Sequence, residues 1–156
     1  MYFRNTDSKK SPTPLALALA GMLLAGAGFT SSAWAELPPL QHQGAVTYVS
    51  GGIGIDESTS FKQAMSHYPL AMTFAEQEGK QGDYLADVKV VIKNARLNTV
   101  LDTTAQGPYM LVKLQPGHYR VSATFKNQTK TRNITIGRKG SEHLVFEWKP
   151  VASANT

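Results

Sequence analysis

The sequence predicts a mostly β domain, a β-sandwich or barrel of about seven short strands with one short helix near its start. Three observations predict it. From residue 70 onward apolar and polar residues alternate, the period of a strand with one buried face. Gly, Pro and Asn clusters interrupt that alternation at short intervals, as turns do. Only one passage, 56–68, spaces its apolar residues as a helix does. The polar side of each strand implies antiparallel or mixed sheets with one wet face.

The chain has 156 residues, and its first 35 do not read as part of that domain. Residues 1–14 carry Arg4, Lys9 and Lys10 against Asp7. Residues 15–29, LALALAGMLLAGAGF, hold no charge, and TSSAWA follows with Ala33 and Ala35 around Trp34. A basic start, a short apolar run and an A-x-A site are the parts of a cleavable secretory signal. The apolar run is 15 residues long and contains Gly21, Gly26 and Gly28. A spanning helix needs roughly 20 apolar residues. Cleavage is therefore expected after Ala35, giving a periplasmic or secreted chain without stable membrane insertion. The chain has no cysteine, which excludes a lipidated N-terminal cysteine and any disulfide. Stability must come from an ordinary core.

Loss of residues 1–35 removes three bases and one acid, so the net charge falls from +5 to +3. The remaining bases are scattered, as in Lys130 with Arg132 and Arg138 with Lys139. A nucleic-acid surface needs a basic stripe with interleaved aromatics, so no nucleic-acid partner is expected.

The elements follow in order. ELPPLQHQG (36–44) reads as a flexible leader and AVTYVSG as a short strand with Val46, Tyr48 and Ser50 on one side. In the helix, about 56–68, Asp56 is placed to cap the N-terminus and Glu57 to meet the helix dipole. Phe61, Ala64, Met65 and Tyr68 share one helical face, and Pro69 ends it. Leu70, Met72 and Phe74 alternate with Ala71, Thr73 and Ala75, and EQEGKQGD reads as a polar loop. Val88, Val90 and Ile92 form the next inward set, NARLN turns the chain, and TVLDT and YMLVKL flank a QGP break. Pro116-Gly117 carries the chemistry of a type II turn. Tyr119, Val121, Ala123 and Phe125 make the clearest alternation, with Arg120, Ser122, Thr124 and Lys126 opposite. After a turn at Asn127-Gln128, Ile134 and Ile136, then Leu144, Phe146 and Trp148, complete the inward set. The β domain spans 45–149, and 150–156 reads as a disordered tail.

Within residues 86–136, ADVKVVIKN and TVLDTTAQGPYMLVKLQPGHYRVSATF resemble the carboxypeptidase regulatory-like, transthyretin-like sandwich domains. Leu114, Pro116, Gly117 and Tyr119 match the family's L-x-P-G-x-Y segment, and Gly107 and Tyr109 match its glycine and aromatic. Asp102 lies five residues before Gly107, so the family's D-x-x-G loop is not reproduced. The resemblance covers about a third of the chain. It implies a seven-stranded Greek-key β-sandwich in a bacterial exported protein, with a binding, spacing or stabilising role. One enzyme of the transthyretin fold ends in Tyr-Arg-Gly-Ser, whereas this chain ends VASANT.

Sites of chemistry are few. His42, His67, His118 and His143 show no metal-ligand spacing. No serine sits in G-x-S-x-G, and Asp102 and His118 have no sequence reason to meet. No catalytic residue, metal site or cofactor is assigned. The sequons at Asn127 and Asn133 are read as chance. Arg120, Lys126, Lys130 and Arg132 are expected on the wet faces of neighbouring strands, as a solvated surface or a weak attraction to an anionic envelope polymer or lipid head group.

The most unusual local feature is Gly51-Gly52-Ile53-Gly54, between a strand and a helix start. Backbone N–H groups there can hold an anion. The third glycine of a dinucleotide fingerprint is absent, however, and Asp56-Glu57 would repel phosphate. Gly51, Gly52, Gly54, Asp56 and Glu57 are the candidate binding loop. The competing reading is a tight turn that packs the helix on the sheet. The function expected is a non-enzymatic exported binding or structural module with a protein or envelope partner. The alternatives are a soluble carrier of a small ligand, marked by an apolar cavity, and an envelope hydrolase, marked by converging acid and base.

Overall fold

A computed structural model describes residues 36–78 and 81–150. The expected signal, 1–35, and residues 151–156 of the expected tail lie outside them. The elements run β1 (Gln41–Gln43), β2 (Val46–Gly51), α1 (Ile55–Ala64), a 3-10 turn (Met65–His67), β3 (Leu70–Glu78), β4 (Gln81–Tyr84), β5 (Val88–Asn94), β6 (Thr99–Ala105), β7 (Tyr109–Lys113), β8 (Gly117–Phe125), β9 (Gln128–Ile136) and β10 (Glu142–Trp148). The described residues thus form ten strands rather than about seven. Two of the additional ones have no apolar period. β1 is Gln-His-Gln and pairs with β2, so the leader is partly strand. β4 is Gln-Gly-Asp-Tyr and turns the expected polar loop into the second arm of a hairpin with β3.

The strands make two sheets. One has the order β1-β2-β7-β3-β10, with β4 also paired to β3; the other has the order β6-β5-β8-β9. All pairings are antiparallel except β3 with β10, which is parallel. Both sheets give one face to a common core, a sandwich-like arrangement. Leu70, Met72, Phe74, Met110, Val112, Phe146 and Trp148 come from the first sheet. Val88, Val90, Ile92, Leu101, Val121 and Ala123 come from the second. A smaller core lies on the outer face of the first sheet, where Phe61, Ala64, Met65 and Tyr68 cover Val49, Ala71, Tyr109 and Leu111. The face read from the sequence is the covered one, with Phe61 and Tyr68 buried and Ala64 and Met65 partly buried. The α-helix is shorter than 56–68: it ends at Ala64, Met65–His67 form the 3-10 turn, and Tyr68 is already extended.

That second core explains two departures from simple alternation. β7 buries Tyr109 and Leu111 under the helix and Met110 and Val112 between the sheets. β2 buries Val49 beside Tyr48, and buried Ser50 accepts the Gln106 N–H through its hydroxyl (3.1 Å). The turn at Asn94 is as expected. Its side-chain oxygen accepts the N–H groups of Arg96 (3.0 Å) and Asn98 (3.1 Å). The β8–β9 turn lies one residue earlier than expected, at Lys126-Asn127. Pro116 makes a bend rather than a type II turn, because Gly117 already belongs to β8.

The phase of β8 is as read, since Val121 and Ala123 are buried in the core with Tyr119 and Phe125 partly buried against it. Phe125 is therefore not a fully buried ring. Phe125→Ala is expected to cost about 1–2 kcal/mol, below the value for complete burial. Thr124→Ala, on the exposed face, should cost less in the same urea titration. The reverse order would contradict the phase.

Candidate functional site

β2 ends at Gly51, and the chain turns through Gly52–Gly54 into α1. Gly54 is the N-cap, with φ 94° and ψ 161°, and its carbonyl accepts the Ser58 N–H at 3.0 Å. Asp56 therefore does not cap the helix. It lies one residue inside the start, exposed and without a capping bond, because the helix begins at Ile55. Glu57, at the third helical position, reaches back so that its Oε1 accepts the Gly52 N–H (3.0 Å). Glu57 is half-buried and shapes the loop, so it is not the exposed probe that its place in the first turn implies.

Glycine is required here by close approach. Gly52 has φ 96°, and a Cβ on it would meet the Tyr109 ring. A Cβ on Gly51 would meet the Glu57 carboxylate and the Phe61 ring. Gly107, from the β6–β7 connection, lies directly on the Gly51 backbone. The loop is held from both sides.

What it presents outward is apolar. Ile53 is 67% exposed and Ile55 84% exposed. With Tyr84, 58% exposed, they border an open groove of about 450 Å³, completed by Leu85, Ala86 and Pro108. Glu36, Pro38 and Asp56 line a second hollow on the other side of the two isoleucines. Beside the groove lies Tyr109, 2% exposed, which stacks on Phe61 (6.0 Å between centroids) and tilts against Tyr84 (5.5 Å). Lys62 Nζ is 5.9 Å from both tyrosine ring centroids.

The Tyr109 hydroxyl is buried and does not reach hydrogen-bond geometry with any described residue. Burial first, and then neighbouring Tyr84, raise its pKa well above the ordinary phenol value. Burial also raises Tyr68 and Tyr119 above the ordinary 10.0. These groups stay protonated in the folded chain after the unfolded chain has begun to ionise. Their contribution is intact below pH 10 and is lost as pH rises beyond it. The melting temperature should fall between about pH 10 and 11, and less steeply for Tyr109→Phe. A melting temperature that rises over that interval would contradict these burials.

The other sequence candidates are dispersed. His42 shares a hydrogen bond with Thr47 (3.0 Å), His118 with Thr135 (2.9 Å) and His143 with Thr73 (2.9 Å). Asp102 lies 3.7 Å from Lys89 on the neighbouring strand. Among the described residues no three His, Asp or Glu side chains converge as a metal site would need. No helix of the described residues is long and apolar enough to cross a membrane. The four bases do not share a wet face. Arg120 bonds Asn133 on the outer face (3.3 Å), and Lys126 sits in the turn and bonds Glu76 (3.1 Å). Lys130 and Arg132 stand opposite Ala123 and Val121, on the core-side face of β9, and Arg132 lies over the Phe146 ring (5.9 Å).

The apolar periodicity of the sequence does not mark Ile53, Ile55 and Tyr84 as a site, although their positions carry a signal. Ile53 lies outside the helix, and Ile55 is six residues before Phe61 and so off its buried face. No family model matches the chain, and no curated protein matches it.

Proposed function

We propose that the protein is a non-enzymatic binding module of the bacterial cell envelope, exported by its first 35 residues, and that it receives apolar side chains of a partner protein in the groove of Ile53, Ile55 and Tyr84. The observation that carries this reading is the grouping of three large, exposed apolar residues around one groove. Scattered exposed apolar residues are ordinary; a contiguous apolar patch marks a contact surface. The Glu57–Gly52 bond and the Gly107–Gly51 contact support it, because a loop held in place loses little entropy on binding. Residues 86–136 support membership of the carboxypeptidase regulatory-like, transthyretin-like domains. The crossing of β7 into the other sheet before β8 returns beside β5 supports a Greek-key connection.

The test is an Ile53→Asp, Ile55→Asp double variant, with partners captured by crosslinking in the native envelope. Capture is expected to weaken on the order of 10-fold or more while melting is unchanged, as for central apolar contacts of an interface. Undiminished capture by the folded variant would remove the groove from the account.

A second reading, a carrier of a small apolar ligand, is favoured by one other feature. An open cleft of about 330 Å³ at the far end of the sandwich is lined by Val46, Val100, Leu114 and Tyr119, among others. Mass spectrometry of protein purified from its own envelope tests it. A stoichiometric ligand lost in Val100→Asp would favour the carrier.

A further inference from the structure

We propose that the free edge of β9 takes up an extended acidic segment of a partner protein as an added strand, a surface separate from the groove. The turn sets which backbone groups are available. Lys126 and Asn127 both have positive φ (45° and 63°), the geometry of a two-residue type I′ hairpin. Phe125 and Gln128 then form the closing hydrogen-bonded pair, and bonded and non-bonded pairs alternate from there. Lys130, Arg132 and Ile134 bond to β8. Thr129, Thr131, Asn133 and Thr135 turn their N–H and C=O groups away from it. Among the described residues β9 is the last strand of its sheet, and these four residues are exposed. No turn or loop backbone bond among the described residues uses them; Arg132 Nη1 donates to the Thr131 carbonyl (3.2 Å), which keeps a second lone pair.

The edge is long and held in shape. β9 has nine residues. The four outward residues are tied to β8 by their side chains: Thr129 to Thr124 (2.7 Å), Thr131 to Ser122 (3.0 Å), Asn133 to Arg120 (3.3 Å) and Thr135 to His118 (2.9 Å). An incoming strand would meet a ready row of donors and acceptors, the mode of β-strand addition.

Charge selects the occupant. Lys130 and Arg132 project from the core-side face of β9, and neither is ion-paired among the described residues. An added strand would place side chains directly beside them, where carboxylates are favoured and cations disfavoured. A second copy of β9 would set lysine and arginine against arginine and lysine, the usual guard against edge-to-edge pairing. The same guard leaves an acidic strand as the complementary occupant.

The probe is a synthetic peptide of about eight residues, the length of a typical strand, alternating Glu and Thr, beside one alternating Lys and Thr. Wild-type protein at millimolar peptide should bind the Glu-Thr peptide, with slowed amide exchange at Thr129, Thr131, Asn133 and Thr135. Thr131→Pro removes an outward N–H without taking a bond from the β8 ladder and should weaken binding on the order of 10-fold or more. The Lys130→Glu, Arg132→Glu variant, which does not depend on proline being tolerated, should lose the acidic peptide and gain the basic one. Ile53→Asp, Ile55→Asp should leave peptide binding unchanged, so failure of the groove and failure of the edge are read separately. Absent binding, equal binding of both peptides, unprotected edge amides, or a wild-type dimer formed through β9 would each overturn the proposal.

Discussion

Gly107→Ala is expected to lose about 3 kcal/mol or more of stability, at the upper end of what an added methyl costs in a packed interior. The Cβ would enter the Gly51 carbonyl group. Backbone faces backbone there, so no side chain can swing aside. Either the β6–β7 connection or the end of β2 must shift. Both flank Tyr109, which lies in the second core against Phe61. Gly54→Ala is the control. Gly54, unlike Gly107, has a positive φ (94°) but nothing within 4 Å of its Cβ, so its loss, about 1–3 kcal/mol, would be backbone strain alone. Urea titrations with unchanged slope measure both. A loss below about 1 kcal/mol for Gly107→Ala would mean that the two backbones are not in contact.

Trp148→Ala should cost about 3–5 kcal/mol, the range for a large buried aromatic. The ring is 1% exposed, between Phe125 (5.9 Å) and Phe146 (6.2 Å). Its Nε1–H also donates to the Gln128 carbonyl (2.9 Å), joining the last strand of one sheet to the edge strand of the other. Trp148→Phe keeps most of the apolar volume and drops the bond, so it should lose about 1–2 kcal/mol. Near-equal stability of Trp148→Ala and wild type would place β10 outside the core.

Where one physical signal dominated, the sequence was legible. β8 has a wet face and a dry one, so its alternation was plain. Phe61 and Ala64 needed only helical spacing, and Met65 and Tyr68 reach the same core through the 3-10 turn and the extended residue after it. Asn94 announced its turn through a side chain that competes for backbone N–H groups. β1 and β4 were silent because they are held by backbone pairing alone, without an apolar face. The double burial of β7 depends on a helix laid over it from another part of the chain, which no local pattern encodes. The parallel pairing of β3 with β10 joins segments about 70 residues apart and had no local signature. At the candidate loop the glycines marked the turn correctly. Asp56 as cap failed because glycine took that place, and the exposed isoleucines passed as part of an ordinary helix start.

The most direct test of the groove is a photo-crosslinking side chain placed at Ile55 and, separately, at Leu97, at the far end of β5 and 58% exposed. Irradiation in the native envelope is expected to give one discrete adduct from position 55 and none from 97, with the adduct lost when Tyr84→Asp is added. No adduct from 55, or the same adducts from both positions, would contradict the groove as the binding site.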